Sequence, residues 1–196
     1  MTNPRLSRQL SFVLEIDKLK TVLRSTLLTD SSRRENSAEH SWHLAIMASL
    51  LAEYAAIPVD VCRVMKMLLV HDLVEIDAGD AFAYDIAANV GRVARELKCA
   101  ERIFGMLPEE QGRELRGLWE EFEANTTTDS KYANALDRLQ PLLQNTRTEG
   151  GTWRIHSVHR DQVYRRMEPI RTAMPELWPV VTGIIEDACR RGWIVA

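Results

Sequence analysis

A chain of 196 residues, 45% of them apolar, suits one domain with a real core or at most two small lobes. The net charge of −3 gives no basic field to gather nucleic acid, so a nucleic-acid polymer is not expected as partner. No apolar run reaches the ~18 residues that a membrane-spanning helix needs.

The opening stretch, MTNPRLSRQL, lacks the apolar segment of a secretory leader. Leu6, Leu10 and Leu14, then Leu19, Val22, Leu23 and Leu27, recur at helical spacing and predict a first helix. TDSSRRENS is a polar loop. Asn36 and Glu39 stand in capping-box spacing and start a second helix that runs to about Ala55, with His40 in its first turn. Ile57-Pro58 breaks it. A third helix extends from about Val59 to Val74 and contains His71-Asp72. Gly79-Asp80 reads as a turn.

A further helix is expected from Ala87 to Leu107, and Pro108 opens an acidic one that ends near Ala124. NTTTD supplies caps for a helix from about Ser130 to Thr146. Two closing helices follow Glu149-Gly150-Gly151. The pattern describes an all-α fold of seven or eight helices, with no strand and no repeat. Cys62, Cys99 and Cys189 are odd in number, far apart and without a C-x-x-C, as expected of reduced thiols in a cytoplasmic protein.

His71-Asp72 ends the apolar run VCRVMKMLLV. Such a pair cannot lie unpaired against a core, because desolvation would cost several kcal/mol. Glu75 follows one turn later and Asp80 just behind. Asp137 lies among Leu136, Leu139, Leu142 and Leu143, where an isolated acid needs a partner. Pro141 clashes with the carbonyl four residues back, so a kink is expected at Asp137. Imidazole and carboxylate are the ligands a hard or borderline divalent cation takes. If the second and third helices pack antiparallel, His40 can reach the same point as His71 and Asp72.

Other chemistry-bearing residues have plainer readings. His43 is expected to pack or cap, and His156 and His159 to lie at a loop or helix start. Arg33 and Arg34 fit a solvated loop, and Arg138 fits pairing with an acid. Trp153, Trp178 and Trp193 suit core or interface anchors.

The segments ENSAEHSWHLAIMASLLAEYA, LLVHDLVEIDAGDAFAYD and ALDRLQPLLQN together resemble the HD-domain metal-dependent phosphohydrolases. Within them they resemble the branch holding the bacterial 5′-deoxynucleotidases. The resemblance covers roughly residues 5–190. It implies a single HD domain over 1–196, with a metal-binding core at about 24–145 and closing helices at about 158–196. It implies metal ligation by His40, His71, Asp72 and Asp137, catalysis by Glu75 and Asp80, and a substrate-orienting arginine at Arg24. Asp72, Asp80 and Asp137 would also face the substrate. That branch follows its arginine with tryptophan, whereas this chain has Ser25, which leaves the base and sugar contacts open.

On this resemblance the activity is release of phosphate from a nucleoside (deoxy) 5′-monophosphate or a similar small phosphomonoester by metal-activated water. The alternatives are a phosphodiesterase or nucleoside triphosphohydrolase of the same superfamily, and a silent nucleotide-binding regulator. One divalent ion is expected (Mn, Co, Fe, Zn or Mg), since no histidine lies between Asp72 and Asp137 to hold a second. The apolar tail PELWPVVTGIIEDACRRGWIVA either closes the domain or forms a two-fold interface, and the resemblance tips this to a homodimer.

Overall fold

The computed structural model describes residues 3–85 and 91–196. Asn3 caps α1 (Pro4–Ile16) by accepting from the Arg5 and Leu6 amides. The first helix therefore stops well short of Leu27. A 3₁₀ turn (Asp17–Thr21) follows, and then two antiparallel strands, β1 (Leu23–Leu27) and β2 (Arg34–Asn36), where no strand was expected. The cause is an inverted burial pattern. In β1 the polar Arg24 and Thr26 point inward while Leu23 is exposed, and in β2 Glu35 is buried. The apolar-in alternation that announces a strand is absent.

Asn36 and Glu39 form the expected capping box at the start of α2 (Ser37–Leu50). The helix ends sooner than the pattern suggested and continues as a 3₁₀ turn, Ala52–Tyr54. Asp60 caps α3 (Val61–Val70), which also ends early. A turn carries His71 and Asp72 into α4 (Glu75–Ala78). Beyond it lie α5 (Arg92–Gly105) and α6 (Glu109–Ala124). The expected start of α5 near Ala87 falls outside the described residues. A Thr127–Ser130 box opens α7 (Thr128–Arg147), which runs on across Pro141. Then come α8 (Gly151–Ile155), α9 (Arg160–Ala173) and α10 (Trp178–Arg190). The fold is helical, as expected. Of the ten α-helices among the described residues, the eight longer ones match the expected number.

Two apolar clusters meet along α3. Leu44, Met67, Leu68, Leu136, Ile170 and Ile185 anchor the larger one, between α2, α3, α7, α9 and α10. Phe12, Val70, Ile103, Phe104 and Trp119 anchor the smaller one, against α1, α5 and α6. Burying each such side chain is worth about 1.5–3 kcal/mol, so both helix groups are held firmly against α3. His71-Asp72 follows Val70 at the seam between them. The C-terminal tail closes the fold. Val181, Ile185, Ala188 and Ile194 are buried, and the Val195 amide donates to the Val158 carbonyl at 2.9 Å.

Candidate active site

His71 is fixed by its backbone. Its Nδ1 donates to the Leu68 carbonyl at 2.8 Å, one turn back along α3. Burial lowers its pKa despite Asp72 and Asp137 nearby, so the ring is neutral and Nε2 carries a lone pair. That buried Nε2 has no hydrogen-bond partner. It faces Asp72 Oδ1 at 3.0 Å and Asp137 Oδ1 at 3.9 Å. A lone pair set against two carboxylate oxygens is repulsive unless a cation stands between them.

His40 comes to the same point from the first turn of α2. Its Nε2 lies 3.0 Å from Asp137 Oδ1, and its Nδ1 donates to Gln140 Oε1 at 3.1 Å. Gln140 in turn donates to Glu35 Oε1 at 2.7 Å, as does Gln144 at 2.8 Å. This buried chain sets the orientation of His40. His40, His71 and Asp72 offer ligand atoms that all lie within 4.8 Å of one another. Asp137 joins them through its contact with His40, carried by α7. Burial would raise the Asp137 pKa, but His40, Arg166 and His71 outweigh it and hold the carboxyl well below its usual range.

Arg24 enters from β1, not from a helix as expected. Its Nη1 donates to Asp72 Oδ2 at 3.0 Å and lies 3.9 Å from Asp80 Oδ1, and its Nε is 3.6 Å from Glu35 Oε2. Burial opposes its charge, yet Asp72, Asp80, Glu75 and Asp137 together raise its pKa. Glu75 opens α4 and accepts from Ser37 Oγ at 2.7 Å. Burial, with Asp72 beside it, pushes its carboxyl well up. Burial likewise raises Asp80, against the pull of Arg24. All seven residues singled out in the sequence thus converge. Arg24, His71, Asp72, Glu75, Asp80 and Asp137 line a cavity of about 460 Å³, and His40 is buried behind Asp137.

Sequence reasoning missed Glu35, Gln140 and Arg166. Glu35 adjoins the Asn36 cap and Gln140 lies one turn after Asp137, which are the only local signals they carry. Arg166, on α9, has none; its Nη2 lies 3.7 Å from Asp137 Oδ2. Arg138 reaches the same oxygen at 3.7 Å, so it does pair with an acid. His43 accepts from Gln140 at 3.3 Å, His156 packs on Phe82 with ring centroids 4.2 Å apart, and His159 caps α9. None of the three joins the cluster. Trp153 is buried in the core.

A sequence profile described as HD domain matches residues 16–178. The chain belongs to the HD domain family. Among solved structures, a protein described as a predicted metal-dependent phosphohydrolase from Magnetospirillum magnetotacticum MS-1 superposes with a TM-score of 0.94. It is 54% identical, with 98% of this chain and 96% of that one covered. Human 5′-deoxynucleotidase HDDC2 is 29% identical over 136 residues, which are 69% of this chain and 65% of the human protein. The 5′-deoxynucleotidase YGK1 of Saccharomyces cerevisiae is 24% identical over 149 residues, covering 74% and 68%. The match to the human HD protein thus spans just under two thirds of its length.

Proposed function

We propose that this HD-domain chain is a metal-dependent phosphohydrolase that releases phosphate from a nucleoside 5′-monophosphate, with deoxynucleotides foremost, or from a similar small phosphomonoester. The observation that carries the reading is the buried, unpartnered Nε2 of His71, set against Asp72 and Asp137 beside a buried arginine. The 5′-deoxynucleotidase names borne by the curated relatives support the substrate class.

The donor set fits one divalent ion held by His40, His71, Asp72 and Asp137. Mn, Co, Fe, Zn and Mg all accept such ligands. When bound, the ion would supply a lowered water pKa and charge for the phosphoryl oxygens. Arg24 orients the phosphoryl group through its guanidinium fork, which Asp72, Asp80 and Glu35 hold in place. Glu75, steadied by Ser37, positions the attacking water and takes its proton. Burial raises the pKa of Glu75, which makes it a stronger proton acceptor than an exposed carboxylate. Asp80, at the end of the glycine turn, accepts from a sugar hydroxyl.

The whole of 1–196 acts as one unit in this reading, which the shared use of α3 by both clusters supports. A cytoplasmic homodimer completes it. Much of the tail is occupied in closing the fold, and exposed apolar residues such as Trp42, Ile46 and Leu50 along α2 offer a surface for the interface.

The deciding experiment assays phosphate release from mono-, di-, tri- and cyclic nucleotides with each of the five metals. Release from monophosphates alone, lost on chelation, is expected. Turnover indifferent to chelator would overturn the reading, and turnover confined to cyclic or triphosphate substrates would replace the monoester with those classes.

A further inference from the structure

Asp137 divides its two oxygens between opposite surroundings. Oδ1 faces His40 and His71, and Oδ2 faces Arg138 and Arg166. Both guanidinium groups stand 3.7 Å from Oδ2, beyond hydrogen-bond distance, and both line the cavity. Two cations are thus held close together against a single carboxylate oxygen. The nearby acid Glu123 is occupied by Arg92 at 3.4 Å. Arg138 is fixed in place, with Nη1 donating to the backbone carbonyl and the side-chain oxygen of Asn134 at 2.6 and 2.8 Å. Arg166 makes no hydrogen bond among the described residues, and its side chain, 30% exposed, lines the cavity. Arg24, by contrast, is already engaged with three carboxylates.

Two guanidinium forks sharing one carboxylate oxygen, next to the proposed cation site, suit a phosphoryl dianion. We propose that Arg138 and Arg166 form a second arm of the phosphoryl site, gripping non-bridging oxygens from the α7–α9 side while Arg24 holds the β1 side. Arg166 supplies the contact that forms only when the anion arrives, and Arg138 supplies a fixed one. The inference rests on the phosphohydrolase reading above for its substrate, but its ligand chemistry, a phosphate oxyanion, can be probed without turnover.

The test compares wild type, Arg166→Ala, Arg166→Lys and Arg138→Gln, each loaded with metal, with metal content and thermal melting measured for each. Binding of inorganic phosphate is followed by calorimetric titration, and KM and kcat with a nucleoside monophosphate. Arg166→Ala is expected to weaken phosphate binding and raise KM by about tenfold or more, with metal content intact and Arg166→Lys in between. Unchanged phosphate binding would overturn the proposal. So would loss of metal from Arg166→Ala, which would make the residue a prop for Asp137. A raised KM with unaltered phosphate binding would also overturn it, by placing the contact elsewhere on the substrate. If wild type releases no phosphate from any ester, the function above fails, and the calorimetric comparison still decides the fork.

Discussion

His71 Nε2 lies 3.0 Å from Asp72 Oδ1, and the ring proton is already committed to Leu68 on the other side. Two adjacent residues thus face each other lone pair to carboxylate in a buried setting. A cation relieves this contact, so chelation should lower Tm as well as abolish phosphate release. At a metal concentration one hundred times its Kd, the stabilisation is about 2.7 kcal/mol. Calorimetry with and without chelator measures it, and an unchanged Tm would count against a metal at this point. His71→Ala should remove both the activity and the chelator sensitivity.

Glu75 sits one turn from the pair and is steadied by Ser37. Glu75→Gln keeps the shape and removes the proposed base. The expected loss in kcat is about 10²–10⁴-fold, with metal content unchanged by elemental analysis. A variant that retains full turnover would take Glu75 out of the mechanism.

Arg24 is buried among Asp72, Asp80 and Glu35. Arg24→Ala leaves those acids uncompensated. Removing one partner of a buried charge pair typically costs about 3–5 kcal/mol, so denaturant unfolding should show a loss of that order. Arg24→Lys restores the charge but not the fork, and should recover stability better than KM.

Glu96 lines the same cavity, 3.4 Å from Arg92. Burial pushes its carboxyl up to about 7, with Arg92 opposing and Glu123 adding to the rise. The folded form therefore holds a proton that the unfolded chain, with its ordinary value of 4.5, releases. The resulting penalty is absent below pH 4.5, grows as pH rises to 7, and is full above it. Glu96→Gln should raise stability at pH 8 by at most about 3 kcal/mol, an advantage that vanishes near pH 4. Paired melts at the two pH values check this. A gain equal at both would assign the effect to packing.

Much of the helical frame was legible in the sequence because its signals are local. The Asn36–Glu39 box, the NTTTD caps and the leucines of α7 each act within a turn or two. The gathering of His40, His71, Asp72 and Asp137 was suggested by chemistry, since buried charges need company, and the full set came from the family resemblance. The hairpin was not legible. Its inward positions are Arg24 and Thr26, which line the cavity, and Glu35, which accepts from Gln140 and Gln144, and a strand with polar residues inside carries no period-two apolar signal. Arg166 was hidden for another reason. Its relation to Asp137 spans α7 to α9 and is set by packing alone.

Asp137 stands with one oxygen toward the histidines and the other toward the arginines. A ligand on either side changes the charge left for the other, which makes the carboxylate a point of thermodynamic linkage. Cation and oxyanion should then load cooperatively, and the factor by which metal tightens phosphate must equal the factor by which phosphate tightens metal. In the proposed reading, phosphate that lingers would hold the ion in place, and a chain stripped of its ion would shed phosphate readily. Retention of the cofactor thus becomes tied to how often the site is filled.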